Sequence, residues 1–151
     1  MMDPLSMSAA VAALTATSIQ TAKTLHSIKD KFQGAEFTIT SLCTETTIIS
    51  ASLSQVQGLL LGDQDRIAKD LSNRPDLEAT LDQALTGCFV ALDVLQAEIE
   101  KITEACPTGS KNVTLKAKMR LLWNETTMQD MVTHLRGIQS ALSLLLQLLG
   151  T

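Results

Sequence analysis

Aromatic residues are scarce in this chain of 151 residues, which has no tyrosine, one tryptophan and three phenylalanines. It also has only three prolines and seven glycines. Sandwiches and barrels need many short strands and frequent Gly or Pro turns, so the composition disfavours both. Leucine, threonine and alanine dominate instead, and the length suits one domain with a sizeable core. These features predict an all-α fold.

The chain lacks the residue clusters that carry common enzyme chemistry. Its cysteines Cys43, Cys88 and Cys106 cannot all pair and show no CxxC spacing, which favours core thiols in a reducing cytosol. His26 and His134 are isolated, and no HExxH, GxSxG or P-loop motif occurs. We therefore expect a protein that is not an enzyme and that holds no metal or cofactor.

The formal net charge is −4, which predicts no general basic surface and no binding to nucleic acid. The basic residues that are present form two clusters, each of which is either a solvated helix end or a surface that faces anionic lipid headgroups. The first cluster is Lys23, Lys29 and Lys31, and the second is Lys111, Lys116, Lys118 and Arg120.

Residues 4–22 form a run without any charged side chain. A helix needs roughly 20 residues to cross the core of a bilayer, so this run is long enough. It is also rich in serine, threonine and alanine, which makes it polar for a single span. The run follows Asp3 instead of a basic segment, which argues against a signal peptide. It is typical of a helix that packs in a soluble bundle or enters lipid together with other copies.

Apolar residues recur every three or four positions along most of the chain. This periodicity predicts a four-helix-bundle-like single domain over residues 1–151, with helices at about 6–32, 36–61, 76–105 and 112–149. The second segment is rich in threonine and isoleucine, which favour strands, but its period favours a helix. A short extra helix with Ile67 and Leu71 is expected between the second and third helices. Asn124 and the residues after it predict a kink or a fresh N-cap in the last helix.

Three short stretches, taken in order and spacing, resemble the HeLo-like N-terminal domain of fungal STAND (NOD-like receptor) proteins. The resemblance covers essentially the whole chain, and the threonine-rich second helix departs from it. The stretches are Met2-Asp3-Pro4-Leu5-Ser6 before an Ala-rich helix, Arg74-Pro75-Asp76-Leu77 continuing to Ala84-Leu85-Thr86-Gly87-Cys88, and Leu122-Trp123 with Leu135-Arg136-Gly137 and Ser140-Ala141-Leu142.

The resemblance implies a helical bundle that acts in programmed cell death, innate immunity or heterokaryon incompatibility. Such domains are similar to the four-helix executioner of animal necroptosis and to the bundles of plant helper immune receptors. In the full-length protein they are linked to a nucleotide-binding oligomerisation module or an amyloid-forming signalling motif. The implied location is cytoplasmic at rest and the plasma membrane after activation.

We therefore expect a membrane-permeabilising domain that is activated by self-association and whose first helix inserts into anionic lipid. The alternative is a non-lytic adaptor that recruits another protein by helix contact. By the resemblance, Asp3 falls at the acidic position before the helix, and Leu5 to Leu14 fall on its membrane-active part. The residues expected to enter or approach the membrane are Asp3, Leu5, Met7, Val11, Leu14 and Ile19.

Overall fold

The computed structural model describes residues 4–31, 37–62, 64–104 and 124–150, and every element in these ranges is a helix. The all-α prediction is confirmed, and so is the short helix between the second and third long helices. The helices are α1 (Pro4–Lys31), α2 (Phe37–Gly62), α3 (Gln64–Asn73), α4 (Pro75–Glu104) and α5 (Glu125–Gly150).

The four long helices form a closed ring. Helix α1 packs mainly on α2, α2 packs on α5, and α4 completes the ring against α5 and α1, while α3 contacts α1, α2 and α4. Thr38 donates a hydrogen bond to Glu125 near the start of both α2 and α5, and Arg136 contacts Glu45 further along both helices. Helices α2 and α5 therefore run in the same direction.

A single apolar core fills the ring. It consists mainly of the residues that recur every three or four positions along each helix. The spacing predicts a buried series on each helix, and the structure buries the α4 series from Leu77 to Ile102 and the whole α2 series, which is Ile39, Leu42, Thr46, Ile49, Leu53, Val56 and Leu60. In α5 the predicted series from Met128 to Leu149 is buried except at Ile138, which is half-buried. Cys106, the last predicted member of the α4 series, lies outside the described residues. The fully buried large side chains include Met7, Leu25, Ile39, Leu42, Ile49, Leu53, Leu60, Ile67, Leu81, Leu92, Leu95 and Met128.

Helix α2 forms although it contains many β-branched residues. The hydroxyl of Thr46 donates to the carbonyl of Leu42 at 2.6 Å, and that of Thr47 donates to the carbonyl of Cys43 at 2.7 Å. Such bonds within the helix satisfy threonine hydroxyls that would otherwise compete with helical structure. Periodic burial thus outweighs strand propensity in this segment.

The residues at the starts of α5 and α4 explain why these helices begin where they do. The side-chain Oδ1 of Asn124 accepts a hydrogen bond from the backbone N–H of Thr127 at 3.1 Å, which makes Asn124 an N-cap for α5. Of the two alternatives for this region, the fresh N-cap is therefore observed. Pro75 occupies the first turn of α4, where its missing N–H costs no helical hydrogen bond.

One carboxylate lies buried between α2 and α5. Glu45 is 8% exposed, and its Oε1 accepts a hydrogen bond from Arg136 Nε at 3.1 Å. Its Oε2 is buried and has no hydrogen-bond partner within the described part of the chain. The charged hydrogen bond from Arg136 therefore offsets the hydration that the Glu45 carboxylate loses on burial.

We expect Arg136→Met to destabilise the bundle by about 1–3 kcal/mol, because it leaves the charged Glu45 buried without a partner. A double variant with Glu45→Met as well should regain most of that loss, since both polar groups are then replaced. Urea unfolding of the two single variants and the double variant measures the coupling energy between the two residues. An additive double variant would contradict the assigned pairing.

Gly87 and Gly58 lie inside helices, and the space around each decides whether a side chain can be added there. A Cβ added at Gly87 would lie 3.8 Å from Cγ1 of Ile138, which is an ordinary contact, and one added at Gly58 would meet nothing within 4 Å. Because alanine favours a helix over glycine, Gly87→Ala and Gly58→Ala should each stabilise the fold by up to about 1 kcal/mol. The midpoint of urea unfolding measures this. A loss of stability at Gly87 alone would indicate a tighter contact between α4 and α5.

Candidate membrane-inserting helix

Helix α1 is docked in the bundle. Met7 and Val11 are fully buried and Leu14 is 7% exposed, so these three predicted insertion residues belong to the core in this state. Ile19 lies on the outer side and is 41% exposed. Asp3 and the side chain of Leu5 lie outside the described residues.

Three buried hydroxyl groups of α1 form hydrogen bonds within α1 itself. Thr15 donates to the carbonyl of Val11 at 2.7 Å, Ser18 donates to that of Thr15 at 2.9 Å, and Thr21 donates to that of Thr17 at 2.8 Å. All three donors are buried residues. Because these bonds close within one helix, they stay intact if α1 moves as a unit.

The outer side of α1 consists largely of small residues. Ala9, Ala13 and Ala16 are exposed, and so is Gln20. No charged side chain occurs between residues 4 and 22, so this surface is neutral along five turns of helix. Within the described ranges, no helix combines the length and apolarity of a membrane-spanning segment.

The structure describes only part of the two predicted basic clusters. Lys23 is exposed and Lys29 is half-buried near the end of α1. The side chain of Lys31 lies outside the described residues, as does the whole second cluster, Lys111, Lys116, Lys118 and Arg120.

An exposed apolar surface on α4 was missed by the sequence analysis. Phe89 is 62% exposed, Val90 is 53% exposed and Val94 is 36% exposed. The periodicity already contained the signal, since these three residues fall outside the stripe that runs through Leu85, Leu92 and Leu95. We call Phe89, Val90 and Val94 the α4 patch.

A groove of about 480 Å³ lies between α4 and α5. Its polar groups include Gln83, Asp130 and His134, and small residues such as Ala84 and Gly137 also line it. Among the residues that the structure describes, no group of three or more His, Cys, Asp or Glu side chains could hold a metal ion.

Cys88 and Cys43 are both buried in the core. Burial raises the pKa of the Cys88 thiol from 9.0 to about 11, so this thiol stays protonated at neutral pH. A protonated, buried thiol is a poor nucleophile, which agrees with a packing role for Cys88.

A protein-family model described as "Pigment biosynthesis cluster protein PigL N-terminal" matches residues 2–149. Searches of curated proteins and of solved structures found no match. The family match agrees with the coarser expectation of a fungal helical domain, although its description does not contain the name HeLo-like.

Proposed function

This chain belongs to the PigL N-terminal family, and we propose that its bundle permeabilises membranes when several copies are brought together. In this proposal α1 leaves the bundle and inserts into an anionic bilayer. The finer likeness to HeLo-like cell-death domains is part of the same proposal. A nucleotide-binding module or an amyloid motif of the full-length protein would then gather the copies at the plasma membrane.

The observation that carries the proposal is that three buried hydroxyl groups of α1 form their hydrogen bonds within α1. An unsatisfied polar group costs several kcal/mol in the hydrocarbon core of a bilayer. The hydroxyls of Thr15, Ser18 and Thr21 bond to carbonyls of α1 itself, so they need no partner from α2. The helix can therefore exchange protein surroundings for lipid without exposing these groups.

Several copies are required because α1 is polar for a lone helix in lipid. Its alanines allow helices to approach closely, and its hydroxyls can form bonds between helices in a membrane. Lys29, with Lys23, follows the neutral run and would stay near the headgroups, where each cation contributes about 1 kcal/mol of attraction. These features support insertion of an assembly over insertion of one chain.

The α4 patch favours a second candidate, a non-lytic adaptor that binds another protein through α4. Exposed apolar side chains grouped on one helix are typical of interaction surfaces. Adaptor function needs no lipid and no movement of α1. Lipid dependence therefore separates the two candidates.

Dye release from anionic vesicles tests the main proposal. We expect the chain fused to a strong oligomerising module to release dye, while the same chain without that module should release little at equal concentration. Higher salt should weaken binding, because the headgroup attraction of the lysines is screened. A folded, oligomeric fusion that leaves vesicles intact would exclude the insertion mechanism and favour the adaptor.

A further inference from the structure

We propose that the α4 patch of one copy docks on the outer side of α1 of a second copy of this chain. The inference rests on the proposed function, because that function requires several copies to assemble. It concerns the lipid-free assembly that precedes insertion, in which α1 is still docked in its own bundle.

Both surfaces place an exposed apolar side chain one helical turn before an exposed charge. On α4, Phe89 is followed four residues later by Asp93, and on α1, Ile19 is followed four residues later by Lys23. Residues four apart lie on the same side of a helix. Asp93 is an acid and Lys23 a base, so the two surfaces are complementary in charge as well as apolar.

Neither Lys23 nor Asp93 forms an ion pair with another of the residues that the structure describes. Among the described residues, ion pairs join Arg66 with Asp70, Lys101 with Glu98 and Arg136 with Glu45, and none involves Lys23 or Asp93. Both side chains are therefore available to a neighbouring copy.

Charge also decides which surface meets the α4 patch. The outer side of α4 carries Asp82 and Asp93 beside the patch, and both are exposed. Two α4 helices facing each other would bring these like charges together, which opposes association. The basic end of α1 removes that conflict. A contact between two different surfaces is heterologous, so each copy can bind one neighbour through α4 and another through α1.

The exposed apolar surface is small, so the contact forms only when another part of the assembly holds the copies close together. Phe89, Val90 and Val94 of one copy and Ile19 of the other expose on the order of 300 Å² over both partners, against roughly 1,600 Å² in total in a standard stable interface. The contact is therefore weak for free chains. A linked module that raises the effective concentration to the millimolar range would make it form.

Sedimentation equilibrium of the full chain without lipid, at concentrations up to about 1 mM, tests the proposal. We expect weak self-association that falls about tenfold or more in Lys23→Glu, in Asp93→Lys and in Phe89→Ser. Lys69→Glu is the matched control, because Lys69 is an exposed lysine of α3 and belongs to neither of the two surfaces. It should associate like the parent chain.

An equimolar mixture of the Lys23→Glu and Asp93→Lys chains should recover association, because each reversed charge then meets an opposite charge on the other chain. A parent chain that remains monomeric, or charge reversals without effect, would overturn the proposal. The proposal would also fail if the mixture does not associate and a single chain with both Lys23→Glu and Asp93→Lys recovers folding stability lost in the two single variants. The two charges would then pair within one chain. Vesicle leakage plays no part in these measurements, so a failure of the permeabilisation proposal remains distinguishable.

Discussion

Ala13→Glu and Ala16→Glu should each nearly abolish vesicle permeabilisation by the oligomerised chain. A charge at the centre of an inserted helix costs about 2.5–3.5 kcal/mol on insertion scales. That cost corresponds to roughly a hundredfold loss of the inserted state for each copy. In an assembly of several inserted helices the losses accumulate, so the effect on leakage should exceed that figure.

The structure makes this experiment cleaner than truncation of α1. Ala13 and Ala16 are exposed in the docked bundle, so a glutamate at either site reaches water and leaves the resting fold intact. Deletion of the residues up to Leu14 would instead remove three core side chains, Met7, Val11 and Leu14. Loss of activity would then report unfolding.

Ala51→Glu is the matched control, since Ala51 is equally an exposed alanine within a long helix, α2. It adds the same charge outside the inserting segment and should leave dye release near the parent level. Circular dichroism and the urea midpoint confirm that all three variants are folded. If Ala13→Glu and Ala16→Glu release dye as the parent does, α1 does not enter the bilayer.

The largest effect on stability is expected from Leu92→Ala and Leu135→Ala. Leu92 in α4 is 1% exposed and Leu135 in α5 is fully buried, so each truncation leaves a cavity in the core. Such changes cost about 2–5 kcal/mol, which is a large share of the stability of a domain of this size. Urea unfolding followed by circular dichroism measures the loss.

Leu144→Ala is the control for this prediction because Leu144 lies on the same helix as Leu135 but is 52% exposed. Its truncation should cost well under 1 kcal/mol, because little apolar surface returns to water. Equal losses at Leu135 and Leu144 would mean that α5 is rotated relative to the bundle described above.

Helical periodicity was enough to predict the core but insufficient to predict the surfaces. The spacing of Leu81, Leu85 and Leu92 identifies the buried side of α4, because burial of apolar side chains dominates the choice of packing face. Phe89 falls outside this spacing, but the position of the neighbouring helices is needed to show that no other element covers it. The burial of Glu45 was equally unpredictable, since its pairing with Arg136 joins residues 91 positions apart.

The candidate inserting segment was only partly foreseeable for a related reason. Absence of charge between residues 4 and 22 can be read directly from the sequence. Which side of α1 lies in the core depends on where α2 sits, and this divides the segment into buried Val11 and exposed Ala13. The predicted role of Val11 in the membrane therefore requires that it first leave the core.

The parallel arrangement of α2 and α5 has a consequence for how the chain folds. Thr38 and Glu125 are separated by 87 residues, so their contact requires closure of a loop that includes α3 and α4. Helices α1 and α2 are adjacent in sequence and pack extensively, so their pairing is local and entropically cheap. We expect this hairpin to form early during synthesis and α5 to dock last. A chain still awaiting α5 would leave the side of α2 that packs on α5, including the carboxylate of Glu45, open to solvent. We expect that intermediate to be the species most prone to aggregate.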